Sequence, residues 1–111
     1  MKKNIMKKWV KALKSGKYKQ SQNILENYYG YCCLGVLCKV AEKNKIRVNK
    51  HKLGDLKGSS LTSQKNVLKW SGMRTGLGDI EIVGTTLSSL NDRGKSFKQI
   101  ANVIEKYWKE L

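Results

Sequence analysis

Proline is absent from the 111 residues, histidine occurs once, and acidic side chains number eight against 23 lysines and arginines. Without proline, and with no internal repeat or low-complexity stretch, nothing marks a linker, so residues 1–111 read as a single compact domain. A chain of this length buries enough surface to fold without disulfides or metal. Long apolar runs are missing too, and nothing approaches the roughly 18 residues that a membrane-spanning helix needs. The basic stretch from Met1 to Leu13 is interrupted by Lys7, Lys8 and Lys11, which leaves no continuous apolar region for a signal peptide. No membrane partner is expected.

Cysteine is scarce and crowded. Cys32, Cys33 and Cys38 all fall inside the apolar run from Tyr31 to Cys38. An odd, clustered set does not suit the disulfide framework of a secreted domain and points to a reducing, cytoplasmic location. A structural zinc site wants four ligands in paired spacings, which this run and the distant His51 do not supply. The thiols are therefore expected in the core, with no metal and no cofactor. A nucleophilic thiol would need a base and exposed electropositive surroundings. The acids Glu26, Asp79, Glu81 and Asp92 form no pair for proton transfer, and Gly76-Leu77-Gly78 is not a dinucleotide fingerprint. No catalytic residue is assigned, and the expectation is a binding protein and not an enzyme.

Positive charge is what the sequence has in excess. The formal net charge is +15, and lysine supplies 20 of the 23 basic residues. Such a balance draws in anions. Lysine acts on phosphates as a point charge and lacks the planar fork with which arginine reads base edges, so affinity without sequence preference is the expectation. A lysine-rich source composition would produce the same count with no binding role.

The apolar spacing gives an α+β fold, helix-rich, with a small antiparallel sheet or hairpin. Met6, Trp9, Val10 and Leu13 fall at helical intervals over residues 3–15, with Lys3, Lys7, Lys11 and Lys14 opposite and Ser15-Gly16 as the stop. Residues 17–30 read as an extended segment or hairpin with a turn near Gly30, and residues 31–43 as a central buried helix in which Gly35 permits a close neighbour. Ile46 to Val48 alternates like a short strand, and residues 49–60 read as a surface loop. Thr62 or Ser63 is expected to cap a helix through Trp70 that ends at Ser71-Gly72. Asp79 to Val83 alternates again, with Ile80 and Ile82 on one face. Thr85 or Thr86 opens a helix through Leu90, Gly94 breaks it, and Ser96 to Gln99 is a capping box for a last helix. Its face, Phe97, Ile100, Ala101, Ile104, Trp108 and Leu111, packs as a helical hairpin on the core, and Trp108 with Leu111 is expected to extend an apolar patch suited to a homodimer.

Candidate ligand contacts concentrate early in the chain. The first 20 residues hold eight lysines and no acid, so Lys7, Lys11, Lys14, Lys17 and Lys19 form the best positive face. Lys17, Tyr18, Lys19 and Gln20 interleave charge, an aromatic face and an amide, a mixture that can stack a base while holding its phosphate. Asn91-Asp92-Arg93-Gly94 is either a set of turn residues satisfying backbone groups or, for Asn91 and Arg93, a pair free of packing that faces the ligand.

Three blocks carry a resemblance over most of the chain: Trp9-x-x-Ala12-Leu13-x-Ser15-Gly16-x-Tyr18-x-Gln20, the run from Tyr31 to Cys38, and Leu90-Asn91-Asp92-x-Gly94-x-Ser96-Phe97-x-x-Ile100-Ala101. In these the chain resembles a widespread family of small phage and prophage accessory proteins with no catalytic assignment. The resemblance implies a protein acting in the cytoplasm of a bacterial host and binding host machinery, nucleic acid or the signalling molecules of host defence, without choosing among them; with the lysine-rich surface, the leading expectation is a nucleic acid or an anionic nucleotide ligand, in a role that counters host defence. The alternative is an inhibitor that binds a protein partner, an acidic or nucleic-acid-handling host enzyme.

Overall fold

Helical spacing of apolar residues sets the first element. In the computed structural model, which describes residues 1–111, helix α1 spans Lys3–Lys14 and buries Ile5, Met6, Trp9, Val10 and Leu13, leaving its lysines in solvent. The Ser15 hydroxyl donates to the Ala12 carbonyl at 2.7 Å, and Gly16 turns the chain away at a φ of 75°.

An extended segment leads into a hairpin of β1 (Glu26–Asn27) and β2 (Gly30–Tyr31), antiparallel and joined by Tyr28 and Tyr29. The Asn27 side-chain oxygen accepts from the amides of Tyr29 and Gly30, which fixes the turn. Tyr31 ties the hairpin back to the approaching chain, its amide donating to Lys19 and its carbonyl accepting from Ser21, both at 2.8 Å.

Helix α2 (Cys33–Lys43) follows and is buried along most of its length. A β-carbon at Gly35 would overlap the Leu25 carbonyl, so the absence of a side chain there is what lets the extended segment lie against the helix. The Trp9 indole donates to the Cys33 carbonyl at 2.9 Å and joins α1 to the start of α2.

Between residues 45 and 60 the structure departs from the alternating pattern. Ile46 to Val48 forms no strand: side chains take the local backbone groups, Asn66 donating to the Arg47 carbonyl and Gln64 bonding both the amide and the carbonyl of Asn49. Ile46 and Val48 alternate only because they pack against the core. The cap expected at Thr62 or Ser63 belongs to Ser60, whose hydroxyl accepts from the Thr62 amide and opens a short 3₁₀ turn, Leu61–Ser63. Helix α3 (Lys65–Ser71) then runs to Gly72, which is left-handed.

Strand β3 is limited to Asp79–Ile80 and pairs antiparallel with β4 (Thr85–Thr86). Ile82 does not share the face of Ile80. The Val83 and Gly84 amides both return to the Ile80 carbonyl, a turn that leaves Ile82 75% exposed. The two strand pairs are separate hairpins and do not join into one sheet. Thr86 caps helix α4 (Leu87–Asp92), and Ser96 with Gln99 forms the capping box of α5 (Phe97–Tyr107), which packs along α1. The class is α+β, five helices with two small hairpins.

The apolar patch expected at the end of the chain is not on the surface. Leu111 is 2% exposed within the core, its carbonyl accepting from the Arg74 amide, and Trp108 is half-buried against the same core. No helix is long and apolar enough to cross a membrane.

One polar side chain sits at the centre. Asn91 is fully buried, its oxygen accepting from the Cys33 amide at 3.1 Å and from the Gln20 side-chain amide at 2.9 Å, its nitrogen donating to the Ser21 carbonyl at 2.8 Å. Truncation would strand several buried polar groups, each worth roughly 1–3 kcal/mol. Asn91→Ala is expected to lower unfolding free energy by about 3 kcal/mol or more in urea denaturation, and Asn91→Asp, which loses the donor to Ser21, to be destabilising as well.

Candidate anion-binding site

The helical interval that buries one face of α1 presents another to the C-terminal end of α2. Lys8, Lys11, Ala12 and Ser15 lie three or four residues apart along this second stripe, and together with Lys17, Tyr18, Val40, Lys43 and Asn44 they line a cavity of about 260 Å³. Its lining is mostly carbon, with ammonium groups around it. The Lys8 ammonium donates to the Asn44 side-chain oxygen at 2.8 Å, joining the two helices across one side. Tyr18 is half-buried, its ring edge-on to Tyr31 at 5.6 Å between centroids.

Two cations share that tyrosine. The nitrogens of Lys17 and Lys43 stand 5.8 and 5.7 Å from the Tyr18 ring centre. The contact with Lys43, then its charge, hold Lys17 below the usual lysine range, with Tyr18 opposing the shift. No carboxylate relieves the repulsion: the four ion pairs, Lys14–Glu105, Lys39–Glu42, Lys50–Glu42 and Arg74–Glu81, all lie outside the cavity lining. An anion among these lysines would supply what the protein does not.

Of the residues singled out from sequence, Lys11, Lys17 and Tyr18 meet in this cavity. Lys7 is exposed on α1 but does not line it. Lys14 is paired with Glu105 at 2.7 Å. Lys19 is exposed and contributes its backbone carbonyl to the hairpin. Gln20 serves the fold, donating to Asn91 and to the Lys95 carbonyl at 2.7 Å. Asn91 is interior and fully bonded, so the reading of it as a residue free of packing is corrected. Arg93 is exposed at the end of α4, away from every cavity lining. Lys8, Ala12, Ser15, Val40, Lys43 and Asn44 were missed. The spacing from Lys8 to Lys11 to Ser15 marks a helical stripe that could have been followed, whereas nothing local in the sequence brings Lys43 to Tyr18.

The three thiols are buried and free. Burial pushes all of them above the usual cysteine range, and the Cys33 sulfur donates to the Leu87 carbonyl at 3.6 Å. No group of three or more His, Cys, Asp or Glu side chains is placed to hold a metal ion.

A family model described as a domain of unknown function, DUF8296, matches residues 1–108. No curated protein and no solved structure matches the chain.

Two outcomes follow from these environments. The thiols are expected to stay unmodified by a disulfide reagent in the native protein at neutral pH and to react in denaturant, because the attacking species is the thiolate. Lys17 is expected to titrate below the usual lysine range in ¹⁵N-detected NMR of its amine. Its native value lies below its unfolded one, so the native state binds fewer protons across that interval. The crowding therefore costs stability at neutral pH and the cost fades as pH rises through the lowered value. Pyrophosphate should move the titration of Lys17 upwards, and a Lys43→Gln variant should do the same without it.

Proposed function

Starting from the fact that the chain belongs to the DUF8296 family, whose function is unknown, we propose that it binds a phosphate-bearing ligand of nucleotide type, free or within nucleic acid, in the cavity around Tyr18. The observation that carries the reading is the placing of two unpaired lysines, Lys17 and Lys43, over one aromatic ring at the mouth of a carbon-lined cavity. Phosphate oxygens satisfy ammonium donors, and a planar base has a π-face to set against tyrosine or against the apolar floor of Ala12 and Val40. The net charge of +15 adds a long-range attraction for such a ligand.

The role of the protein is then to capture. Lys8, Lys11, Lys17 and Lys43 hold charge, Tyr18 and Val40 hold the apolar part, and Ser15 and Asn44 offer neutral hydrogen-bonding groups at the edge.

Calorimetric titration with adenine nucleotides and with inorganic pyrophosphate tests the reading. Lys43→Gln is expected to weaken binding about tenfold, the scale of one lost charge-assisted hydrogen bond. Tyr18→Leu, which keeps an apolar side chain beside Tyr31, should weaken the nucleotides by about fivefold or more and leave pyrophosphate unchanged. Lys7→Ala removes the same charge from the same helix outside the cavity and should have little effect. Affinity should fall as NaCl is raised from about 50 to about 200 mM. Equal losses from Lys7→Ala and Lys43→Gln would replace the cavity with a diffuse field, and no binding of either probe would sink the proposal.

A further inference from the structure

The cavity around Tyr18 is not the sole basic hollow. A second, of about 420 Å³, is lined by Lys2, Lys45, Arg47, Asn66, Lys69 and Trp70, with Ile46 among them. A third, of about 230 Å³, shares Arg47 and Asn66 with the second and adds Lys65. Across all three the basic residues number nine, and none makes an ion pair with a carboxylate. No acidic side chain lines any of them.

The linings of the first two hollows take consecutive residues at the end of α2. Asn44 lines one and Lys45, the next residue, lines the other, with Lys45 in the left-handed region at a φ of 64°. The last carbonyls of α2 would repel an anion passing this point, but they are occupied: Val40, Ala41 and Glu42 accept from the amides of Asn44, Ile46 and Lys45. The first helix and the residue before it border both hollows, Lys2 lining the second and Lys8 and Lys11 of α1 the first. Six to nine residues of helix separate them, a rise of roughly 9–14 Å, which is a span of a few nucleotides.

The walls of the second and third hollows are built and not casual. Gln64 is 1% exposed; its oxygen accepts from the Asn49 amide, and its nitrogen donates to the carbonyls of Asn49 and Lys57. Asn66 donates to the Arg47 carbonyl at 3.2 Å. These bonds hold the segment carrying Lys45 and Arg47 against α3, which carries Lys65, Lys69 and Trp70.

We infer that the ligand is a single-stranded polynucleotide, lying from the Tyr18 cavity past the end of α2 into the groove of Arg47, Lys69 and Trp70. The inference rests on the reading of the Tyr18 cavity given above and extends it from one nucleotide to a strand. Each of the first two hollows has an aromatic side chain for a base, and lysines or arginine without a carboxylate partner line each of them for phosphates. The charges lie in concavities. A duplex would instead call for an element that enters one of its grooves, and lysine point charges favour a backbone held without sequence preference.

Fluorescence anisotropy with labelled oligothymidylates of about two and about twelve nucleotides, and with a duplex of the longer length, tests this on the whole chain. The longer single strand should bind at least about tenfold more tightly than the shorter and more tightly than the duplex. Arg47→Ala with Lys69→Ala, both exposed side chains, should remove that gain and leave the short strand unchanged, with Lys65→Ala as an independent check. Trp70→Phe, which retains an aromatic ring in the groove, should abolish the component of intrinsic fluorescence quenched by the longer strand alone. If the short strand binds and responds to Lys43→Gln but length brings no gain, or the duplex binds as tightly, the strand inference fails while the Tyr18 cavity stands. If neither strand responds to Lys43→Gln, the cavity reading itself has failed and takes the strand with it.

Discussion

Asn91 brings a full amide into a mostly apolar interior, and three chain segments are arranged around its hydrogen bonds. Its oxygen holds the first amide of α2 and the side chain of Gln20, and its nitrogen holds the carbonyl of Ser21. Each of those groups is buried or half-buried and would otherwise lack its partner, so the amide can sit in one orientation only. That constraint fixes the segment around residues 20 and 21 against α2, and from there the hairpin docks through Lys19, Ser21 and Tyr31. Tyr18 meets Tyr31 at the end of this sequence of contacts. The cavity is thus held in place from the core outward by an asparagine that does not touch it.

The charges are sorted as firmly as the core is packed. Glu42 takes two lysines, Glu105 takes Lys14 and Glu81 takes Arg74, while Glu26 and Asp92 are bonded to backbone amides, of Leu56 and Asn23. Lys39 and Lys50 accordingly hold the Glu42 carboxyl below its usual range. The lysines around Tyr18 receive no such partner. Surface ion pairs contribute little to stability, so their location matters less for the fold than for which cations they leave free.

Much of the fold could be read from the sequence where a period ran for several turns, as in α1, α2 and α5, or where a side chain caps locally, as Ser96 and Gln99 do. The failures share a cause. Ile46 to Val48 and Ile80 to Ile82 alternate in hydrophobicity, but alternation over three residues does not distinguish a strand from a loop whose side chains pack inwards by tertiary contact. Asn91 misled for the opposite reason: its position near a helix end suggested local turn chemistry, while its partners are 58 to 71 residues away. The candidate site divides in the same way. Lys11, Lys17 and Tyr18 lie close together in sequence and could be found there, but Lys43 reaches them only because α2 packs beside α1.

The acid-free lining of the hollows also governs how a ligand arrives. A half-enclosed basin of one sign, with low-dielectric walls of alanine, valine and tyrosine, concentrates the field at its opening, and an anion drifting nearby is drawn towards it before any contact forms. Encounter with such an anion is then faster than random collision would allow, and added salt shortens the reach of the attraction. If the cavity takes an anion as proposed, the lysines that crowd it also serve as a kinetic funnel, setting the time scale of capture as well as its strength.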